Sequence, residues 1–177
     1  MGFFTRLFGR DDAAKRDAAS LYAKLMQQSR NPQFYGENRF PDSYDGRIDV
    51  LTLHIAIVLE ALRSFDEQGQ RLSQALFDEM KDDFEIALRE EGISDAGVKK
   101  RIKPMIQLFY TRVKDYTESL PMDGIKSVAA NLHEKDGFKM SSTFLDELQL
   151  YSVTFRQTLS DKTLGEIASS QFNFPDL

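Results

Sequence analysis

Apolar residues are most concentrated between residues 45 and 62, where the apolar stretch 50–59 is interrupted only at Thr52 and His54. A helix that is hydrophobic on all sides is normally surrounded by other helices. The stretch is also shorter than the roughly 20 apolar residues that a bilayer-spanning helix needs. We therefore predict that residues 45–62 form the buried central helix of a helical bundle.

On both sides of this helix, apolar residues recur every three or four positions, as on one face of an amphipathic helix. We predict one helix from residue 11 to Asn31, which precedes a proline, and another from about Gln70 to Glu91, with Gly69 as the break before it. The predicted buried stripe of the second helix is Leu72, Leu76, Met80, Phe84 and Leu88. Residues 31–45 have turn composition and are predicted to be a loop. Its aromatic residues, most of which we expect to pack against the bundle, are Phe34, Tyr35, Phe40 and Tyr44.

A further helix is predicted after Ser94 or Asp95, either of which can cap it. Its apolar residues follow a 4-3-4-4-3 spacing and are Val98, Ile102, Met105, Phe109, Val113 and Tyr116. Pro104 lies inside this pattern and lacks a backbone donor, so we expect a kink or a break near Lys103. Helical patterns also cover residues 125–132, 144–159 and, weakly, 164–168, and we expect the last residues to dock on the bundle.

No strand pattern, repeat or low-complexity tract is present. The predicted fold class is therefore all-α: a single-domain bundle of about six to seven helices around a buried central helix. We assign residues 11–177 to this domain and residues 1–10 to a separate amphipathic segment. On a helix that segment would present one apolar face, formed by Phe3, Phe4, Leu7 and Phe8. Arginines beside such a face suit contact with a membrane surface. The alternatives are that these residues cover a groove in the protein's own core, or are disordered.

Composition narrows the class of protein further. The chain has 177 residues, which is enough to bury a core, and a net charge of −5, which argues against a DNA-binding or other nucleic-acid-binding protein. The absence of cysteine removes disulfides, thiolate metal sites and thiol catalysis together. Since no secretory signal or spanning segment is apparent, we expect a cytoplasmic protein that is peripheral on the inner face of the membrane if residues 1–10 contact it.

Candidate catalytic groups are few. His54, within the apolar helix, is more typical of a hydrogen-bonded core residue than of a ligand, and burial there would lower its pKa. The carboxylates of helix 70–91 have no histidine at ligand spacing and suit a solvated face. No nucleophile triad, phosphate-binding glycine loop or zinc motif is present. We expect no metal, no cofactor and no enzymatic activity, with a haem-handling role for His54 as a minor alternative.

A basic cluster precedes Pro104 and comprises Lys99, Lys100, Arg101 and Lys103. In one interpretation the cluster balances the acidic helix 70–91 within the fold. In the other it binds anionic lipid or ribosomal RNA.

Two blocks of sequence stand out together. The first is Phe34-Tyr35-Gly36, Pro41-Asp42 and Asp45-Gly46-Arg47-Ile48-Asp49, followed by Leu51 and His54. The second is Leu76-Phe77-Asp78-Glu79-Met80-Lys81-Asp82-Asp83-Phe84 and Ala87-Leu88-Arg89-Glu90-Glu91-Gly92-Ile93-Ser94-Asp95, then Val98 and Lys99-Lys100-Arg101. In combination they resemble the ubiquinol–cytochrome c chaperone family of cytochrome bc complex assembly factors. The resemblance covers about residues 34–116, and Glu91 stands where the family pattern suggests a methionine.

The resemblance implies a helical, non-catalytic chaperone that binds newly made cytochrome b and supports biogenesis of the ubiquinol–cytochrome c reductase complex. Without a presequence rich in Arg and Ser, the chain resembles the bacterial form. Mitochondrial relatives act with a small helical co-chaperone and near the ribosomal exit, so both are further expected partners. The alternative is a cytosolic helical adaptor or scaffold unrelated to respiration.

The family-marked positions are predicted to contact the client or a partner, and they are Phe34, Tyr35, Asp45, Arg47, His54, Asp82, Asp83, Arg89 and Asp95. The loop 34–44 and the helix around Pro104 would line a groove for the client. For the charged residues the alternative is structural: Arg47 and Arg89 would neutralise the aspartates inside the fold. Removing one partner of a buried pair costs about 3–5 kcal/mol.

Overall fold

The computed structural model of the chain describes residues 3–122, 124–132 and 139–177, and for residues 3–12 and 122 it describes the backbone alone. Within these ranges the chain forms seven α-helices joined by turns and short 3-10 segments. The helices are α1 (Phe3–Ser29), α2 (Tyr44–Leu62), α3 (Asp66–Glu90), α4 (Asp95–Ser119), α5 (Ile125–Leu132), α6 (Ser142–Ser160) and α7 (Leu164–Ala168). The predicted all-α, single-domain bundle is confirmed.

The central position of α2 is also confirmed. Ser43 caps the helix by accepting a hydrogen bond from the Gly46 amide, and every residue from 49 to 58 is buried. Helices α1, α3, α4 and α6 pack around it. Because α2 has no polar face, other helices have to cover it on each side.

The buried stripe predicted for α3 is confirmed, since all five of its residues are buried. The predicted break at Gly69 is wrong, because α3 begins at Asp66 and continues through this glycine. Gly69 has a packing role instead: a Cβ atom on it would overlap the carbonyl oxygen of Leu62. The missing side chain lets the start of α3 lie directly against the end of α2.

Helix α4 runs without a break through Pro104, so the break expected near Lys103 as one of two possibilities is absent, and the kink stays a prediction. Proline removes the amide that would bond to the carbonyl of Lys100. Both Lys100 and Pro104 are exposed, so water can replace the missing donor. Packing against α2 and α3 supports α4, which starts at a serine cap, Ser94.

The loop before α2 buries part of its aromatic content. Phe34 and Phe40 are completely buried, whereas Tyr44 belongs to the first turn of α2 and is 49% exposed. Tyr35 is half-buried and packs against the core, and Tyr44 lies at the surface, so the expectation that most of these aromatic residues pack on the bundle is confirmed.

The expected docking of the last residues is confirmed. The Lys24 ammonium donates hydrogen bonds to the carbonyl oxygens of Ser170 and Phe172 and lies 4.5 Å from the centre of the Phe172 ring. Phe172 is buried, and Phe174 packs beside it with 5.6 Å between the ring centres. Helix α1 thus holds the C-terminal segment 170–174 on the bundle.

Among the described helices, none has the length and apolar character required to cross a bilayer. The backbone of α1 is continuous through residue 10. The side chains of residues 3–12 lie outside the described part of the chain. The membrane contact predicted for Phe3, Phe4, Leu7 and Phe8, and the division at residue 10, therefore stay predictions.

Candidate functional site

His54 lies in the centre of the bundle. Its ring is completely buried and makes edge contacts with Phe34 and Tyr151, with ring centres 5.3 and 5.5 Å away. Phe155 and Phe174 pack against it at 6.0 and 5.7 Å. His54 and Phe34, two of the family-marked residues, therefore belong to the aromatic core rather than to a surface that a client contacts.

Hydrogen bonds define the tautomer of His54. Nδ1 lies 2.7 Å from the carbonyl oxygen of Val50, which can only accept, so Nδ1 carries the proton. Nε2 then accepts from the Tyr151 hydroxyl at 2.6 Å, and this hydroxyl accepts from the Gln28 amide at 3.1 Å. Burial lowers the pKa of His54 to about 4. A neutral histidine with both ring nitrogens engaged is a structural residue, and neither nitrogen is available to a haem iron.

Tyr35 and Arg47 lie together at the surface. Arg47 Nε donates to the Asp42 carboxylate at 2.8 Å, and its guanidinium lies 5.9 Å from the centre of the Tyr35 ring. The Tyr35 hydroxyl donates to the carbonyl of Ser29, and burial raises the pKa of this tyrosine to about 12. The hypothesis that Arg47 neutralises a buried aspartate is wrong, because both members of its ion pair are more than half exposed.

Arg89 joins the end of α3 to the start of α4. Its guanidinium lies 3.2 Å from the Glu85 carboxylate and 3.4 Å from that of Asp95. The predicted pairing of Arg89 with Asp95 is thus present, but both side chains are exposed and the pair is not inside the fold. Exposed pairs of this kind contribute about 0–1 kcal/mol.

Asp82 and Asp83 have different surroundings although they are adjacent. Asp82 is exposed, and the Lys81 ammonium lies 3.8 Å from it. Asp83 is half-buried and accepts a hydrogen bond of 2.8 Å from the Tyr22 hydroxyl, which connects α3 to α1. Burial and this carboxylate raise the pKa of Tyr22. Asp83 therefore has a structural contact that the sequence did not indicate.

A small surface cavity opens where the start of α2 meets the middle of α4, with a wall from α3. We name it the α2–α4 cavity; its volume is about 50 Å³, and its walls are formed by Tyr44, Asp45, Ile48, Phe84, Met105, Leu108, Phe109 and Arg112. Tyr44 and Leu108 are about half exposed, at 49% and 47%, whereas Phe84 and Phe109 are buried. A concave apolar wall beside exposed apolar side chains is typical of a site for a partner's apolar side chain.

Three carboxylates lie near Tyr44, which forms one side of this cavity. Burial raises the pKa of Tyr44, and the negative charges of Glu91, Asp83 and Asp45 raise it further. Such an effect requires the carboxylates to be near the phenol. Negative charge on the Tyr44 side therefore adjoins the apolar wall, a combination that favours an apolar segment carrying basic residues.

The Arg112 side chain in the cavity wall belongs to a buried ion pair that the sequence analysis missed. Its Nη1 atom contacts the carboxylate of Asp49, which is completely buried in α2. A signal was present, because Arg112 lies on the apolar stripe of α4, three residues after Phe109 and four before Tyr116. A charge on a buried face needs a partner of opposite charge. The sequence could not tell that α4 faces α2 at this point.

Both regions predicted to line a client groove contribute residues to the wall of this cavity, Tyr44 from the loop 34–44 and Met105 and Leu108 from the helix around Pro104. The loop residues Phe34 and Phe40 are buried elsewhere, and a client-binding role for the cavity stays a prediction. Of the family-marked positions, Asp45 is in the cavity wall. Within the residues that the structure describes, no group of three or more acidic or histidine side chains is close enough to hold a metal ion.

The fold and this site define a class of protein: an all-α helical bundle with an apolar surface cavity that has carboxylates near one side. A family model described as ubiquinol–cytochrome C chaperone matches residues 37–174, and the chain belongs to this family. The match confirms the resemblance drawn from the two sequence blocks and extends it to residues beyond 120.

The chain is also similar to a solved structure, the crystal structure of the Cbp3 homolog from Brucella abortus. The two share 26% sequence identity with a TM-score of 0.77, over 98% of this chain and 97% of that one. No match was found among curated protein sequences. The family and the structural match together support a role as an assembly chaperone of the cytochrome bc complex.

Proposed function

We propose that this protein is a non-catalytic assembly chaperone that binds newly made cytochrome b during biogenesis of the ubiquinol–cytochrome c reductase complex. The family match over residues 37–174 carries the proposal. The α2–α4 cavity supports it, because a client-binding chaperone needs exposed apolar surface that its own fold does not cover.

The chemistry of the client fits the cavity. Before haem insertion and subunit docking, the helical segments of cytochrome b expose apolar side chains that would otherwise be buried. One such side chain enters the α2–α4 cavity, while Tyr44 and Leu108 cover the neighbouring positions of the segment. Membrane proteins carry an excess of Lys and Arg in their cytoplasmic loops, and the carboxylates of Asp45 and Glu91 attract these residues.

A second apolar groove extends the proposed client surface. Its volume is about 330 Å³, and it shares Phe109 with the α2–α4 cavity. Phe77 and Tyr110 stack in its wall with 4.8 Å between ring centres, and Tyr110 is 53% exposed. Two adjoining sites on α4 allow a client segment to be held at more than one side chain.

The proposed location is the cytoplasm, peripheral to the inner face of the membrane in which cytochrome b is made. Residues 3–8 are our proposed contact with that surface. A small helical co-chaperone and proximity to the ribosome remain expectations from the family resemblance.

The experiment is an affinity capture of the tagged, full-length protein from gently solubilised membranes of its own organism, with partners identified by mass spectrometry. We expect cytochrome b to be enriched by the wild type and reduced severalfold by Tyr44→Ser, which changes the cavity wall without changing α4. The matched control is Leu150→Ser on α6, which removes a leucine that is 69% exposed and should leave capture unchanged.

Thermal unfolding of each variant separates loss of the contact from loss of the fold. Unchanged melting with reduced capture supports the cavity as the client site. Capture of soluble proteins alone by the wild type, with cytochrome b absent, would reject the chaperone proposal in favour of a cytosolic adaptor.

A further inference from the structure

Basic residues are concentrated on α4 although the chain as a whole is acidic. Between Asp95 and Asp115 the sequence contains six Lys or Arg residues and no Asp or Glu, while the net charge of the protein is −5. Four of the six lie at the start of the helix, and we name them the basic face of α4: Lys99, Lys100, Arg101 and Lys103. This distribution produces a local positive potential on a molecule that is negative elsewhere.

All four residues of the basic face are exposed. In the part of the chain that the structure describes, no carboxylate lies within ion-pair distance of them, although Lys81 and Arg89 on the neighbouring α3 are both paired. If the cluster balances the charge of α3, it therefore does so without direct ion pairs. Four unpaired cations on one exposed helix segment leave their charge available to a partner.

An apolar row lies beside these cations on the exposed side of α4. Pro104 is exposed, and Leu108 lies one turn after it and two turns after both Lys100 and Arg101. Residues four and seven apart on a helix share a side, so Leu108 extends rows that begin with the cations Lys100 and Arg101. A leucine gains nothing from a sugar–phosphate backbone, but it gains free energy when it enters the apolar boundary of a bilayer.

We propose that the basic face of α4, with Leu108, is a docking surface for an anionic lipid bilayer. The cations contact lipid headgroups, and the Leu108 side chain enters the interface beside them. This docking surface depends on α4 itself and not on the identity of the client. It also places the α2–α4 cavity, which shares Leu108, beside the membrane surface.

The experiment is flotation of the purified full-length protein with vesicles and without any client. One vesicle preparation contains phosphatidylcholine alone, and the other also contains the anionic lipid phosphatidylglycerol. We expect binding to the anionic vesicles only. Raising the ionic strength from about 0.15 to about 1 M shortens the Debye length from about 8 to about 3 Å and should release the protein.

Charge reversal at Lys100 and Lys103 to Glu should lower the partition coefficient onto anionic vesicles about tenfold or more. The matched control reverses Arg30 and Lys139, two exposed basic residues outside α4, and changes the net charge by the same amount. We expect the control to bind like the wild type. Leu108→Ser should also weaken binding without changing the net charge.

Several outcomes would overturn the proposal. The wild type could bind neutral and anionic vesicles equally, or it could bind ribosomal RNA but not vesicles. The Lys100 and Lys103 variant could bind anionic vesicles fully, or both charge-reversal variants could lose binding equally. Because the vesicles contain no cytochrome b, failure here leaves the capture experiment on the client unaffected. Circular dichroism and thermal unfolding of each variant check that the helix content and the stability of the bundle are retained.

Discussion

Two buried tyrosines provide a matched comparison at the scale of single residues. The Tyr151 hydroxyl is bonded to His54 and Gln28, whereas the Tyr116 hydroxyl, near the Asp49–Arg112 pair, has no hydrogen-bond partner within the described residues. Tyr151→Phe should lower the free energy of unfolding by about 1–3 kcal/mol, because it leaves buried polar groups unpaired. Tyr116→Phe should change it by less than about 0.5 kcal/mol or increase it.

Urea unfolding of the two variants measures this difference. Each substitution removes one hydroxyl oxygen from a buried ring. Equal losses would contradict the prediction, because they would show that the hydrogen bonds of the Tyr151 hydroxyl add nothing to stability. A loss confined to Tyr116→Phe would mean that its hydroxyl is bonded after all.

Arg47 and Arg112 give a second comparison, because the first belongs to an exposed ion pair and the second to a buried one. Arg47→Ala should change the free energy of unfolding by less than about 1 kcal/mol, because its pair with Asp42 is exposed. Arg112→Ala should lower it by about 3–5 kcal/mol, because the Asp49 carboxylate stays buried without its cation. Thermal and urea unfolding at neutral pH measure both values.

A large loss of stability in Arg47→Ala would contradict the surface assignment. If this variant is stable but captures less cytochrome b, Arg47 contacts the client directly. The comparison therefore separates a structural from a binding role at a family-marked position.

At the scale of helices, two glycines differ in the space around them. One lies in the contact between α2 and α3 and the other lies outside it, so substitution by alanine should affect stability differently. Gly69→Ala places a Cβ atom against the Leu62 carbonyl and should lower the free energy of unfolding by about 1–3 kcal/mol. Gly165→Ala in α7, where a Cβ atom would meet no neighbour within 4 Å, should leave stability unchanged or raise it by up to about 1 kcal/mol. Differential scanning calorimetry of both variants measures the difference, and equal melting temperatures would contradict the close approach of α2 and α3.

Helix patterns were predictable because burial imposes a period on the sequence. The buried stripe of α3 and the all-apolar α2 follow from this period alone. Gly69 misled the prediction, since the same residue serves as a helix breaker and as a contact point between helices. The α2–α4 cavity was less predictable. The spacing of apolar residues along the chain shows neither which helices pack together nor that Arg112 faces Asp49.

At the scale of the whole molecule, burial of His54 makes stability depend on pH. Its pKa is lowered from 6.5 to about 4, so between these pH values the unfolded chain binds a proton that the folded chain does not. The free energy of unfolding should therefore rise with pH from about 4 to 6.5, by about 3 kcal/mol in total, and should not depend on this residue above that range.

Urea unfolding at several pH values between 4.5 and 7.5 measures this slope. His54→Gln should reduce it, and the control His133→Gln should retain it. An unchanged slope in His54→Gln would show that other groups cause the acid sensitivity.

The attachment of residues 170–174 to α1 has a consequence for the synthesis of the protein itself. Lys24 leaves the ribosome early, but the carbonyl groups that it binds belong to residues 146 and 148 positions later. Until Phe172 and Phe174 emerge, the aromatic core around His54 and Phe155 lacks two of its covering rings. The nascent chain therefore cannot complete its native core until residues 170–174 have emerged, so a protein proposed to receive newly made clients passes through most of its own synthesis with part of its aromatic core uncovered.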